Sequence, residues 1–228
     1  MSIQENILEL KNLIEQKKKS LSIKNNITLI AVSKNFGADK IIEALNAGIY
    51  DFGENRINEA IPKIEQINDK RIKWHFIGHL QSNKASKAVR YFDVIHSIDS
   101  INLAEKVNSF ANQYKKVMPI FIQVNTSFED TKSGIYPEEL ENLISFVINK
   151  CNFLELQGLM TIGPLTSNEN NIRKCFKDLK ILKQKMSNKY GEKYFPFLSM
   201  GMSGDWQIAL EEGATHLRIG TAIFGIRN

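Results

Sequence analysis

Eight times between residues 27 and 225 the sequence passes from a short apolar or β-branched run into a stretch with helical spacing. The runs fall at 27–34, 49–53, 72–77, 93–98, 118–124, within 154–162, at 195–200 and at 216–219. Between them lie segments whose apolar residues recur every three to four positions: Ile41, Ile42 and Leu45, then 55–67, then a helix from about Asn83, then 100–114. Next come Leu140, Leu143, Ile144 and Val147 behind Pro137, and Ile172, Phe176, Leu179 and Met186, with Cys175 beside them as core filler. A short helix at 205–212 ends at Gly213, and a last turn spans 221–225. Strict alternation of strand and helix demands a parallel sheet with helical crossovers. Eight units in one chain of 228 residues fit a single closed (β/α)8 TIM barrel domain over 1–228. An open doubly wound sheet is the alternative, but its first turn is usually a G-x-G-x-x-G, and here it reads Ser33-Lys34-Asn35-Phe36-Gly37. An extra helix precedes the first strand. Ser2 and Glu5 form a capping box, and Ile3, Ile7, Leu10 and Ile14 share a face.

Composition narrows the class of protein. With 43% hydrophobic and 24% charged residues the chain is ordinary for a water-soluble fold. No run reaches the ~20 apolar residues that cross a bilayer, and the start Met1-Ser2-Ile3-Gln4 lacks the basic and apolar regions of a secretory signal. Cys151 and Cys175 match no metal-ligand spacing, which points to a reducing, cytoplasmic setting. The net charge of +5 raises nucleic acid as a partner. The only tight basic cluster, Lys17-Lys18-Lys19, also suits the end of the first helix.

In a barrel the carboxyl ends of the strands converge on one face, so residues remote in sequence share a site. Lys34 closes the first strand. An amine in a dry site has its ammonium form disfavoured and becomes a Schiff-base former. The bland alternative is a solvated lysine just past a strand. Ser203 precedes a helix, Gly220 permits close backbone approach, and Thr221 adds a hydroxyl. Loops after strands seven and eight are where many barrels hold phosphate. Each feature alone reads as well as a cap or a turn. Together with Lys34 they predict a phosphorylated carbonyl ligand.

Six segments carry a resemblance: Ala31-Val32-Ser33-Lys34, Gly53-Glu54-Asn55, Trp74-His75-Phe76-Ile77-Gly78-His79-Leu80-Gln81-Ser82-Asn83-Lys84, Gly158-Leu159-Met160, Leu198-Ser199-Met200-Gly201-Met202-Ser203 and Arg218-Ile219-Gly220-Thr221-Ala222-Ile223-Phe224-Gly225. In this order they resemble the YggS/PROSC family of pyridoxal 5′-phosphate (PLP) homeostasis proteins. The resemblance implies a one-domain barrel like the N-terminal domain of alanine racemase. It implies that Lys34 carries PLP as an aldimine, with Asn55 beside the cofactor. Ser203, Gly220 and Thr221 would hold the phosphate and Arg218 would face the pyridine nitrogen. Gly204 departs from the family, where an acidic residue is common. The loop around Lys132-Ser133-Gly134 also resembles a family segment, without a cofactor contact assigned to Lys132.

The remaining candidates read more simply. His75 and His96 lie in or near strands and read as satisfied core rings. His79 reads as a loop donor, Met160 and Met202 as gap fillers, Trp74 and Trp206 as packing anchors, and Glu54 as the start of a helix. The resembling racemases add a C-terminal β-domain, for which the barrel reading leaves no residues. An arginine at the ring nitrogen also weakens the electron sink on which PLP catalysis depends. The sequence therefore predicts a monomeric PLP carrier that buffers the cofactor or delivers it to PLP-dependent apo-enzymes, without efficient catalysis. A stand-alone amino-acid racemase and a basic nucleic-acid-binding protein are the alternatives, with an aldolase-type barrel further off.

Overall fold

A computed structural model of the chain describes residues 2–129 and 131–225. Eight parallel strands close into a barrel in sequence order. They are β1 (Thr28–Val32), β2 (Asp51–Glu54), β3 (Lys73–Phe76), β4 (Val94–Ile98), β5 (Met118–Gln123), β6 (Leu154–Met160), β7 (Phe197–Ser199) and β8 (His216–Ile219). The barrel closes where Ile30 of β1 pairs with Arg218 of β8 on one side and Asp51 of β2 on the other.

Helices cover the outside: α1 (Ile3–Ser20), α2 (Ala38–Asn46), α3 (Ile57–Ile67), α4 (Ala85–Tyr91), α5 (Ile101–Gln113), α6 (Leu140–Lys150), α7 (Glu169–Tyr190), α8 (Trp206–Glu211) and α9 (Thr221–Phe224). The capping box of α1 is formed in both directions between Ser2 and Glu5, and its apolar face, Ile3, Ile7, Leu10 and Ile14, is buried. That helix leans on the end of the chain through Asn6 Nδ2, which donates to Ile223 O at 2.9 Å.

Two expected boundaries move for local reasons. The fourth helix begins with a 3-10 turn, Ser82–Lys84, before α4. Pro137 sits in the turn before α6 and not inside its first turn, because the chain between Val124 and Ile135 is used for a β-bridge and the helix starts late. Trp74 and Trp206 are buried in the main core, as packing anchors should be.

A main apolar core lies between the strands and the helices. A smaller cluster, Val94, Phe121 and Met160, packs with Ile162 and Phe197. It lies inside the barrel, because successive strand side chains point to opposite faces.

Candidate functional site

Three strand ends meet at one edge of the carboxyl-terminal face. Ser33 N–H donates to Gly53 O at 3.0 Å, which carries the β1–β2 pairing past the strands and sets Lys34 beside Asn55. A Cβ built on Gly220 would lie 3.5 Å from Val32 O, so β8 delivers Gly220 to the other flank of β1. Asn35, with φ 65°, turns the chain sharply after Lys34, in a left-handed conformation that asparagine tolerates.

Lys34 is half-buried, and its ammonium makes no hydrogen bond or ion pair among the described residues. The sequence argument expected a dry amine. The structure instead places it in a cavity of about 180 Å³ with Asn35, Asn55, Arg56 and Glu59. Beside it, a cleft of about 550 Å³ shares Asn55, Arg56 and Glu59 and extends to His79 and Lys84. The backbone at Gly78 passes so close to Asn55 that a Cβ there would lie 2.1 Å from Asn55 O. Only glycine lets the end of β3 fold over Asn55 in this way.

Glu54 is not the first residue of a helix. It ends β2 with its side chain fully buried, where Oε1 accepts from Ser33 Oγ at 2.7 Å and from Lys63 Nζ at 2.8 Å. Lys63 also donates to Ser33 O at 3.1 Å. Burial pushes the Glu54 carboxyl above its usual range, and the bonds from Lys63 and Ser33 oppose that shift. The residue before Lys34 is thus held by its hydroxyl and its carbonyl. Nothing local announces this clamp, because Ser33 and Lys63 are thirty positions apart.

Ser203 does not cap the helix that follows it, since Asp205 is the N-cap residue of α8. Its Oγ accepts from Ala222 N–H at 3.2 Å and so ties the β7–α8 loop to the β8–α9 turn beside Gly220 and Thr221. Gly220 has φ −107°, and an added Cβ would make only ordinary contacts with Val32. Among the described residues neither strain nor a close contact demands glycine there.

Arg218 is 4% exposed and makes no ion pair among the described residues. Its Nη1 donates to Ser199 Oγ and its Nη2 to Thr161 O, both at 2.8 Å. Burial pushes the guanidinium down to about 10, against the pull of Asp205, which leaves it charged at neutral pH. Behind it a file of polar groups runs through the lumen beside the apolar cluster. Ser199 Oγ lies 3.0 Å from His96 Nδ1, His96 Nε2 2.9 Å from His75 Nδ1, and His75 Nε2 2.9 Å from Asp51 Oδ1. Strands β4 and β7 are not neighbours in the sheet, so the His96–Ser199 contact crosses the barrel interior. The two rings are satisfied core histidines, as expected, but they belong to one connected group that sequence reading missed. Its one signal was polar residues at alternate positions of β3, Lys73 and His75, with His96 in the otherwise apolar start of β4.

Other candidates fall away from the site or are engaged. Lys132 Nζ is held by Glu129 Oε1 at 2.7 Å and Gly163 O at 2.8 Å. His79 is exposed, 3.6 Å from Asp99. Met160 is buried in the lumen cluster, and Met202 is exposed. In the basic cluster, Lys17 pairs with Glu211 and Lys18 with Glu15, so two of its three charges are neutralised within the fold.

Comparison with known proteins matches the family model "Alanine racemase, N-terminal domain" over residues 2–228. The pyridoxal phosphate homeostasis protein of Vibrio alginolyticus is 39% identical over 232 residues, covering 100% of this chain and 98% of its own. That of Mus musculus is 40% identical over 212 residues, covering 88% and 77%. The chain belongs to the pyridoxal phosphate homeostasis protein family. A solved relative, PipY of Synechococcus elongatus with PLP bound, superposes with TM-score 0.86 at 34% identity, covering 98% of this chain and 100% of that one. An alanine racemase of Clostridium difficile shares the fold, with TM-score 0.75 at 15% identity over 99% of this chain and 57% of its own. The barrel thus spans the whole of the solved PipY chain and 57% of the racemase chain.

The residues fit PLP on grounds of this chain alone. Asn55 Oδ1 is buried without a hydrogen-bond partner, the nearby Lys34 amine has none either, and Gly220 offers bare backbone on the opposite flank. An orphaned acceptor, a free amine and an uncluttered glycine turn converge on one edge of the barrel. No helix is long and apolar enough to cross a membrane among the described residues.

Proposed function

We propose that this chain binds PLP through Lys34 and serves PLP homeostasis, holding and releasing the cofactor without efficient turnover. The observation that carries the reading is the free Lys34 amine set between Asn55, with its orphaned oxygen, and the Gly220 turn. PLP supplies an aldehyde that condenses with a primary amine, and a ring that withdraws electrons when its nitrogen is protonated. In the reading, Lys34 captures the aldehyde, Asn55 lies against the ring, and Ser203, Gly220 and Thr221 take the phosphate with neutral donors. Lys132 is held by Glu129 and Gly163 and does not compete for the aldehyde. All six residues come from one chain, so a monomer suffices.

Arg218 supports a carrier over an enzyme. A guanidinium has donors only and does not readily give up a proton. Set at the ring nitrogen, it holds that atom as an acceptor and leaves the electron sink weak. The family's name and the PLP-bound relative support the same reading.

Borohydride reduction of the protein with PLP should fix one pyridoxyl group, and peptide mapping should place it on Lys34. A label on Lys84 or Lys132 would overturn the assignment. The Ser203→Ala/Thr221→Val double variant should weaken PLP by about 2–4 kcal/mol, roughly 1–2 for each lost donor. Pyridoxal without its phosphate should be indifferent to the same change. Incubation with L-amino acids and PLP should show no racemisation, decarboxylation or transamination in the ordinary enzyme range of about 1–1000 s⁻¹.

A further inference from the structure

The lumen group behind Arg218 has a direction that follows from valence. Arg218 offers no lone pair, so its Nη1 donates and Ser199 Oγ accepts, at 2.8 Å. At the far end the Asp51 carboxylate only accepts, so His75 carries a proton on Nε2. A neutral His75 then has a bare Nδ1, which takes a proton from His96 Nε2. A neutral His96 in turn has a bare Nδ1, which takes the Ser199 hydroxyl proton. The carboxylate end sets the direction, the Arg218 end is compatible with it because a hydroxyl can accept and donate at once, and no donor meets a donor.

Neutral rings are what this setting favours. His75 and His96 are 1% and 0% exposed, and burial holds both below the usual histidine range. The groups facing them are Asp51 on β2, Lys73 on β3, Asp93 just before β4, and His216 and Arg218 on β8. Lys73 and Arg218 oppose a charge on the rings, and Asp51 and Asp93 favour one. His216 sits with its ring centroid 6.1 Å from that of His96. The side chain of Asp51, at the first position of β2, is 29% exposed, so this end of the chain reaches water.

We infer that Asp51, His75, His96 and Ser199 are positioning residues for Arg218. They form a one-way hydrogen-bond chain that orients its guanidinium and couples the cofactor's ring-nitrogen position to the amino-terminal mouth of the barrel. The inference rests on the reading that Arg218 faces that nitrogen. A change at Asp51, which touches no part of the cofactor site, is then felt by bound PLP.

The test has two arms. Long-range proton–nitrogen NMR on cofactor-free protein with labelled histidines, at pH 7, should show His75 and His96 neutral and protonated on Nε2. A proton on Nδ1 of either ring, or a charged ring, overturns the chain whatever PLP does. In the second arm PLP is titrated into wild type, Asp51→Leu, Asp51→Asn and Ser199→Ala, reading affinity and the pH profile of the visible band. Asp51→Leu and Ser199→Ala should each weaken PLP about tenfold, the low end for a hydrogen bond to a charged group, and should displace the pH profile. Asp51→Asn keeps an acceptor oxygen and should recover most of the affinity. Wild-type affinity and profile in Asp51→Leu and Ser199→Ala would overturn the coupling. Failure of wild type to bind PLP would overturn the cofactor reading and with it the role at the ring nitrogen, while the ring tautomers still decide whether the chain exists.

Discussion

Along β1, Ala31 packs outward into the apolar core, while Ile30 and Val32 point inward, on the face where neighbouring strands carry Asp51 and Arg218. The same division runs round the barrel. Outward residues such as Phe52, Trp74, Phe76, Ile95 and Ile120 meet helices and are apolar. Inward residues include His75, His96, Ser199, His216 and Arg218, nearly all as deeply buried. Depth is therefore not what separates the faces. The outer face needs only apolar volume, because helices supply complementary ridges. The inner face has no helix to pack against, and its linked polar groups from Asp51 to Arg218 find their partners on other strands. Stability rests mainly on the first face, and the chemistry on the second.

The largest effect should come from the outer face. Phe92 is fully buried, edge-on to Phe76 with ring centroids 5.2 Å apart. Phe92→Ala should cost about 3–5 kcal/mol of unfolding free energy in urea and leave the PLP affinity of the folded fraction intact. A matching loss of affinity would mean that the faces are not separable.

Lys63→Ala probes a place where an outer-face polar group reaches the site. It strands the buried Glu54 carboxylate and should cost about 3 kcal/mol, the lower end for a broken buried pair. It should also slow capture of PLP by loosening Ser33. Combining Lys63→Met with Glu54→Gln should restore stability without restoring the capture rate.

Acid should sharpen the contrast from the inside. His75, His96 and His216 are all depressed by burial, His216 to about 3. Below the ordinary histidine pKa of about 6.5 the unfolded chain takes up protons that the fold refuses, so stability falls as pH falls. Each ring contributes up to about 1.4 kcal/mol per pH unit, and for His216 the loss continues to about pH 3. Burial raises Glu54 and Asp205, which has the opposite sign and offsets part of the loss at the acid end. Urea midpoints at pH 7, 6 and 5 read the slope; a flat profile would mean that the rings are charged inside the fold. The smallest effect belongs to the solvent side of the helices. Lys40→Ala breaks an exposed pair with Glu43 and should leave the melting temperature where it was.

Much of the site was legible because strand ends are legible. An apolar run ending in Lys34, and the Gly220-Thr221 turn after β8, could be placed on one face as soon as eight units were counted. The bond of Ser203 was not legible: it accepts from Ala222, nineteen positions away, where the sequence offered only its own helix. Glu54 read as a helix start because an acidic residue suits a first turn, yet β2 runs one residue further and buries it. His75 and His96 were read as core rings without their connection, since nothing local says that β4 faces β7 across a closed barrel.

The order of strands and helices, the apolar stripe of each helix and the lysine at the end of β1 follow from periodicity and composition, which are properties of short windows. Which strand ends touch, that Lys63 reaches Ser33, and that Arg218 is joined to Asp51 through two rings and a hydroxyl depend on closure of the sheet. Closure brings together residues from five strands. The pairing of buried polar groups is a condition on the whole barrel, one that no single segment carries.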